Sequence, residues 1–241
     1  MESLKDKVVL VTGGGRGLGE AISNSLAEAG ARVIVGDVRA ALASGVAKRI
    51  VVEGGKASAL ELDVADPEKV RRAVRDLIEE NGRIDAVVNN AGVDRTVAIE
   101  ELEVRDWDRI IGTNLRGPFL LSREILPHMK GRRSGHILNV VSTAAKRAWA
   151  NASAYHASKW GLLGFSHALH VEARPHGIKV TALVCGGMKT PFLLERFPDI
   201  DAETLQDPRD VAATVRYVLS APAGTVIPEI MALPMGETSW P

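Results

Sequence analysis

The sequence predicts an α/β fold: a single doubly wound domain built on a parallel sheet of roughly seven strands. Short runs rich in β-branched residues alternate with longer helical stretches along all 241 residues. These runs are apolar on both faces, which is typical of parallel strands covered by helices on both sides. No linker rich in Pro or Ser divides the chain, so residues 1–241 are expected to form one domain.

The elements follow in a regular order. The strands are expected at 7–12, 31–37, 56–64, 85–92, 135–142, 178–184 and 225–233. The helices are expected at about 18–29, 40–53, 67–81, 103–130, 153–173 and 208–221. Gly30 ends the first helix, Gly54 and Gly55 end the second, and Pro67 suits the first turn of the third. Pro228 within the last strand indicates an edge strand or a bulge.

Composition and charge exclude several classes of protein. Lys plus Arg and Asp plus Glu each number 30, so nothing indicates a nucleic-acid partner. The single cysteine, Cys185, rules out an intrachain disulfide, and the six histidines follow no metal-binding pattern, so no metal is expected. The N-terminal MESLKDK is unlike a secretion signal, and no apolar run approaches the roughly 20 residues of a membrane span. We therefore expect a cytoplasmic protein that does not bind membranes.

A glycine-rich turn, VTGGGRGLG, joins the first strand to the first helix. Gly13, Gly17 and Gly19 have the spacing G-x-x-x-G-x-G, which differs from the common dinucleotide fingerprint. Glycines let a pyrophosphate approach the backbone, and a helix N-terminus offers it free N–H groups and a positive dipole end. An ordinary tight turn is the alternative, but the strand–turn–helix position favours phosphate binding.

Asp37, at the end of the second strand, bears on the choice of cofactor. An acid at this position accepts hydrogen bonds from the adenosine ribose and repels a 2′-phosphate, which favours NAD over NADP. Arg16 and Arg39 favour the opposite choice because either could reach a 2′-phosphate, although both could instead pair with Asp37. NAD is the predicted cofactor, since a carboxylate at the strand tip faces the ribose directly.

The stretch YHASK places Tyr155 and Lys159 four residues apart on one face of a predicted helix. A neighbouring cation favours the phenolate and would lower the tyrosine pKa from its usual value near 10. A drop of about three units requires roughly 4 kcal/mol, which a buried pair beside a positive nicotinamide could supply. On its own, Tyr-x-x-x-Lys is a common pair on helix surfaces, so an ordinary surface pair is the alternative.

Five motifs occur in order along the chain: TGGGRGLG, NNAG at 89–92, NLRGPF at 114–119, Ser142 and YHASK. With them the chain resembles the short-chain dehydrogenase/reductase family, of Rossmann-type fold, from about Lys5 to Thr190. The resemblance implies an oxidoreductase that transfers a hydride between a nicotinamide cofactor and a secondary alcohol or ketone. An NADP-dependent carbonyl or 3-oxoacyl-thioester reductase is the alternative activity. A dinucleotide-sensing binding protein is the alternative outside enzymes.

The resemblance also implies roles for individual residues. Tyr155 would be the general acid/base, and Lys159 would lower its pKa and bind the nicotinamide ribose. Ser142 would bind the substrate oxygen, and Asn114 would hold a water that links Lys159 to solvent. The predicted cofactor-binding residues are these: Gly13, Arg16, Gly17, Leu18, Gly19, Asp37, Asp63, Val64, Asn90, Ala91, Gly92, Tyr155, Lys159, Met188 and Thr190.

Two stretches depart from the family pattern. In CGGMKT, Cys185 stands where the family often has a proline, which should loosen the loop over the nicotinamide. The C-terminal stretch lacks the usual ending, so a homodimer through the two long helices is favoured over the common homotetramer. Residues 190–207 are expected to cover a small-molecule alcohol or carbonyl substrate. A short helix that packs its own apolar face is the alternative for this segment.

Overall fold

The computed structural model describes residues 1–237, and seven strands within them form one sheet. The spatial order is β3-β2-β1-β4-β5-β6-β7, and every neighbouring pair is parallel. The strands are β1 (Val8–Thr12), β2 (Arg32–Asp37), β3 (Lys56–Glu61), β4 (Ala86–Asn89), β5 (Gly135–Val140), β6 (Ile178–Cys185) and β7 (Glu229–Ala232). The predicted doubly wound α/β fold is confirmed, although residues 238–241 of the predicted domain lie outside the described residues.

Helices cover both faces of this sheet. They are α1 (Gly17–Glu28), α2 (Ala40–Val52), α3 (Pro67–Asn81), α4 (Val104–Ile111), α5 (Gly117–Arg132), α6 (Ser153–Ala173), α7 (Pro191–Leu194) and α8 (Pro208–Leu219). Residues of α1, α2 and α8 form one buried cluster with Val9 and Val11 of β1. Residues of α3, α5 and α6 form a second cluster with Val8 and Leu10. Alternate residues of β1 thus enter different cores, which explains why its sequence is apolar throughout.

Three strands end at least two residues earlier than their sequences predict, at the edge where the site forms. They are β3, β4 and β5, and β5 ends at Val140 and not at Ser142. β3 ends at Glu61 and not at Val64, because its neighbour β2 ends at Asp37 and offers no further partner. Asp63 therefore lies in a turn, where its carboxylate accepts the N–H of Ala65. β4 likewise ends at Asn89, so Asn90, Ala91 and Gly92 belong to the loop that follows it.

The helical region predicted at 103–130 contains an interruption. One turn of π-helix, Gly112–Arg116, separates α4 from α5. A π-turn holds an extra residue, which redirects the side chains that follow, and such turns are frequent at functional sites. Asn114 lies within it. At the other end of the chain, β7 begins directly after Pro228 and is an edge strand, as its proline indicates. None of the helices in the described part of the chain has the length and apolar character needed to span a bilayer.

Candidate active site

A cavity of about 790 Å³ opens at the carboxyl edge of the sheet. Because the strands are parallel, the segments that follow β1 to β6 all meet at this edge. Every predicted site residue lines the cavity except Asn114. Motifs spread over more than half of the chain are therefore brought together at one place.

The glycine turn after β1 forms one wall of this cavity. Gly13 and Gly17 adopt φ angles of +61° and +58°, a left-handed conformation that other residues rarely adopt. A Cβ on Gly19 would lie 2.0 Å from the carbonyl oxygen of Gly13. The turn consequently exposes bare backbone beside the N-terminus of α1, the arrangement expected for binding a phosphate.

Asn90 joins this turn to the loop after β4. Its Nδ2 donates hydrogen bonds to the carbonyl oxygens of Thr12 and Gly13, at 2.9 and 3.1 Å. The Thr12 hydroxyl accepts the N–H groups of Asn90 and Ala91, both at 3.1 Å. These bonds fix the two loops relative to each other, which orients Ala91 and the following Gly92 along the cavity wall.

Asp37 is almost buried, with 5% of its surface exposed. Its two carboxylate oxygens accept the N–H groups of Gly15 at 3.1 Å and Arg39 at 3.0 Å. A carboxylate has about four lone-pair positions, so the site retains acceptor capacity for ribose hydroxyls. Of the two candidate arginines, Arg16 and Arg39, only Arg39 lies near the Asp37 carboxylate, with its Nε 3.7 Å from Oδ1. Arg16 instead pairs with Glu195, at 2.7 Å.

The Tyr155 side chain is buried at the other end of the cavity. Burial raises its pKa to about 12, while a hydrogen bond with Ser142 acts in the opposite direction. Ser142 lies two residues beyond Val140, the last residue of β5, and its Oγ accepts the N–H of Ala144. The sequence predicts a lowered pKa for Tyr155, whereas the structure gives a raised one. In the protein alone, loss of hydration outweighs the favourable contacts of the phenolate.

Lys159 is also buried, and burial lowers its pKa to about 8. Its Nζ donates a 2.8 Å hydrogen bond to the carbonyl oxygen of Val140, at the end of β5. The same Nζ lies 5.7 Å from the centre of the Tyr155 ring. The lysine is thus held by the sheet and faces the cavity beside the tyrosine.

Asn114 lies behind the cavity wall, unlike the other predicted catalytic residues, which line the cavity. It is fully buried and does not line the cavity. Its amide accepts the N–H of Val93 and donates to the carbonyl oxygen of Val93, both at 2.8 Å, and it donates to Ser158 Oγ at 3.1 Å. With both of its N–H groups engaged by protein atoms, the side chain connects the loop after β4 to helix α6. Its role in a water relay stays a prediction.

The segment predicted at 190–207 lies along the same cavity. Phe192, Leu193, Phe197 and Ile200 line it, and the Phe192 ring is 6.0 Å from the Tyr155 ring. Consecutive residues of opposite charge attach the segment on two sides. Glu195 pairs with Arg16 of the glycine turn, and Arg196 pairs with Asp94 of the loop after β4.

Comparison with known proteins identifies the family. Residues 7–201 match the model of the short chain dehydrogenase family. This chain belongs to the short-chain dehydrogenase/reductase family. Among curated relatives, it is 30% identical over 237 residues to a 3-oxoacyl-[acyl-carrier-protein] reductase of Synechocystis, covering 94% of each chain. It is 31% identical to a sepiapterin reductase of Chlorobaculum tepidum, covering 94% of this chain and 96% of the relative.

Solved structures agree with this assignment. A metagenomic short-chain oxidoreductase in complex with NADP superposes with a TM-score of 0.86 at 30% identity, covering 97% of this chain and 99% of the other. A 3-ketoacyl-(acyl-carrier-protein) reductase from Brucella melitensis complexed with NADH gives 0.89 at 32% identity, covering 97% and 99%. The predicted family is confirmed, and this short-chain dehydrogenase/reductase is an oxidoreductase.

The cavity of this short-chain dehydrogenase/reductase fits a dinucleotide on its own geometry. The glycine turn supplies backbone for a pyrophosphate, and Asp37 supplies acceptors for a ribose. Leu18, Asp63, Val64, Met188 and Thr190 line the same cavity. The Cβ of Thr190 would be 3.3 Å from a Cβ on Gly17, so the segment after β6 closes over the glycine turn.

The site contains further residues that were not predicted from the sequence, among them Thr12, Asp94, Arg147 and Arg196. Thr12 had a local signal, because it is a polar residue that ends an apolar strand immediately before the glycine turn. Asp94, Arg147 and Arg196 also line the cavity but follow no recognisable pattern. Asp94 and Arg196 are far apart in the chain, and only the tertiary structure makes them partners.

Proposed function

We propose that this enzyme transfers a hydride between NAD and a secondary alcohol or ketone, with Tyr155 as general acid/base. The observation that carries the proposal is the convergence of Ser142, Tyr155 and Lys159 with the glycine turn on one cavity. When bound, the nicotinamide supplies the redox step by accepting or donating a hydride. The chain itself supplies orientation, exclusion of water and the movement of a proton.

The proton is handled by the Tyr155 hydroxyl. In the direction of reduction, the phenol donates its proton to the carbonyl oxygen; in the direction of oxidation, the phenolate accepts the hydroxyl proton. A pKa raised to about 12 keeps the phenol protonated at neutral pH, which is the form that reduction needs. Ser142 holds the substrate oxygen, and Lys159 binds the nicotinamide ribose and supplies positive charge beside the phenolate.

The preference for NAD is supported by the surroundings of Asp37. Its carboxylate stands at the tip of β2, and the guanidinium of Arg16 is engaged by Glu195. A 2′-phosphate would therefore meet a negative charge and find one of its two candidate partners occupied. NADP is the second candidate, since the related solved structures contain NADP in one case and NADH in another.

Reduction of a 3-oxoacyl thioester is the second candidate activity. Relatives from Synechocystis and Thermotoga maritima, both 30% identical, are 3-oxoacyl-[acyl-carrier-protein] reductases. The same Tyr155 chemistry would serve this substrate, because the reacting group is again a ketone. The two candidate activities differ only in the part of the substrate beyond the ketone, which for the second is an acyl thioester.

A homo-oligomer is part of the proposal. Trp107 of α4, Phe119 of α5 and Trp160 of α6 are between 37% and 52% exposed, and Phe119 packs edge-on to Phe165. A second copy that covers α4, α5 and α6 would bury these rings. Sedimentation analysis should show a dimer or tetramer, and a monomer at micromolar concentration would contradict it. The cytoplasmic location stays a prediction.

One experiment tests the activity. The purified enzyme is incubated with NADH or NADPH and a panel of aliphatic ketones, aromatic ketones and a 3-oxoacyl thioester, and the reduced-nicotinamide absorbance is followed. We expect oxidation of NADH with at least one ketone. Faster turnover with NADPH would overturn the cofactor assignment. Tight cofactor binding without turnover of any member would favour a dinucleotide sensor.

A further inference from the structure

The substrate end of the cavity presents cations to whatever enters it. Arg147 and Arg196 line this end, with side chains 27% and 22% exposed. Asp94 lines it as well, but only 4% of its side chain is exposed, because its carboxylate is turned towards Arg196 and the N–H of Arg95. The remaining carboxylates that line the cavity, Asp37 and Asp63, follow β2 and β3 at the opposite end. Of the charged side chains that line this end, the two guanidinium groups are therefore more accessible than the Asp94 carboxylate.

Aromatic rings hold both guanidinium groups in place. Arg196 lies over Phe192, 4.2 Å from the ring centre, and 5.4 Å from the centre of Phe197. Arg147 lies 5.5 Å from the centre of the Trp149 ring. A guanidinium between aromatic faces loses little conformational freedom when its edge binds a planar anion.

Both arginines retain donors that the protein does not use. Arg196 donates Nε to the carbonyl oxygen of Phe192 and Nη1 to Asp94, which leaves Nη2 for a ligand. Arg147 pairs through Nη2 with Glu237. Its Nε is buried and has no hydrogen-bond partner among the residues that the structure describes.

We propose that the substrate carries a carboxylate, and that Arg196, assisted by Arg147, binds it. The proposal rests on the proposed alcohol–ketone chemistry at Tyr155 and names the class of substrate for that site. Asp94 is the counterion of Arg196 until the substrate anion takes over part of this contact. The centre of the Phe192 ring lies 6.0 Å from that of Tyr155 and 4.2 Å from the Arg196 guanidinium, so a short acyl chain along its face would connect the ketone to the carboxylate. The apolar side chains of Leu193, Phe197 and Ile200 would cover that chain.

The test compares 5-oxohexanoate and 7-oxooctanoate with their methyl esters. Saturated carbons separate the ketone from the charged group, so acid and ester have nearly the same intrinsic reactivity. We expect a KM for at least one acid that is about tenfold or more below that of its ester. Arg196→Gln and Arg147→Gln should each remove most of this preference, while Arg196→Lys should retain part of it.

Two further variants separate binding of the anion from general damage. Asp94→Asn removes the competing carboxylate with little change of shape, so the KM for the acid should fall relative to the KM for the ester. Arg105→Gln changes an arginine of α4 that is 80% exposed and should leave the ratio of acid to ester unaltered. An acid KM equal to or above the ester KM at both lengths overturns the proposal, as does an unchanged ratio in Arg196→Gln.

Failure of the proposed function would be recognised separately. If the enzyme reduces none of these ketones and none of the wider panel, hydride transfer is wrong. Calorimetric titration of the cofactor-loaded protein with the same acid and ester pairs then decides the inference. Preferential binding of an acid that Arg196→Gln abolishes sustains the carboxylate site, whereas equal binding or no binding of the acid overturns it.

Discussion

Lys159 holds its ammonium 5.7 Å from the centre of the Tyr155 ring but donates its hydrogen bond to the carbonyl oxygen of Val140. Both side chains are buried, and burial favours the neutral form of each. It raises the pKa of Tyr155 to about 12 and lowers the pKa of Lys159 to about 8. Burial of the charged Lys159 side chain therefore lowers the free energy of unfolding. This cost leads to a prediction about stability.

Replacing Lys159 by Met should stabilise the protein while it abolishes turnover. The folded-state pKa of Lys159, about 8, lies below its ordinary value of 10.5. Between these pH values the unfolded chain keeps a proton that the folded protein has lost, so the stability of the wild type rises with pH. We expect Lys159→Met to exceed the wild type by up to roughly 3 kcal/mol at pH 7, with the gap closing as the pH rises from about 8 towards 10.5.

Urea unfolding of both proteins at neutral and alkaline pH measures this gap. All other titrating groups are common to the two proteins, so the difference reports Lys159 together with its effect on the neighbouring Cys185. The control is Lys69→Met, which changes an exposed lysine of α3 and should show no such dependence on pH. A Lys159→Met variant that is no more stable than the wild type at pH 7 would contradict the account.

Tyr155→Phe should remove proton transfer and leave the cofactor site intact. The hydroxyl faces Ser142, whereas the glycine turn and Asp37 lie at the other end of the cavity. General acid/base groups contribute about 10²–10⁴-fold to rate, so we expect a loss of kcat of at least this size. Cofactor affinity, measured by fluorescence titration, should change less than about threefold. Retained turnover would remove Tyr155 from its assigned role.

Asp37→Ala should shift the cofactor preference towards NADP. The substitution removes the negative charge at the tip of β2 and the acceptor of the Gly15 and Arg39 N–H groups. We expect the ratio of NAD to NADP affinity to fall by about tenfold or more, because repulsion of a 2′-phosphate is lost along with the ribose contacts. Binding of both cofactors is measured by calorimetry. An unchanged ratio would show that Asp37 does not set the preference.

Gly19→Ala should disrupt the glycine turn. Its Cβ would lie 2.0 Å from the carbonyl oxygen of Gly13 and 2.6 Å from Asn90 Nδ2, so backbone must move. We expect a loss of stability of about 1–3 kcal/mol together with loss of cofactor binding. The matched control is Gly45→Ala in α2, where the nearest atom would be 3.6 Å away and a gain of about 0.5–1 kcal/mol is expected. Thermal unfolding of both variants, with and without cofactor, measures both effects. A Gly19→Ala variant that the cofactor stabilises as much as the wild type would contradict the prediction.

Much of the site could be predicted because its signals are local. A strand, a turn of glycines and a helix must follow one another in the chain, so Gly13, Gly17 and Gly19 are recognisable without coordinates. The pair Tyr155 and Lys159 depends only on the helical repeat. The sequence predicts that β3 ends at Val64, whereas it ends at Glu61. The length of a strand depends on its neighbour in the sheet, here β2, as well as on its own residues.

The amino-acid sequence by itself determined the alternation of elements, the parallel sheet and the family, because hydrophobic periodicity and turn residues act over short distances. Only the tertiary structure decided that burial dominates the pKa of Tyr155, that Asn114 faces the protein interior, and that Asp94 and Arg196 form a pair. Each of these depends on which groups surround a side chain once water is excluded. Hydration, charge and hydrogen-bond partners are set by segments distant in the chain, so no local pattern records them.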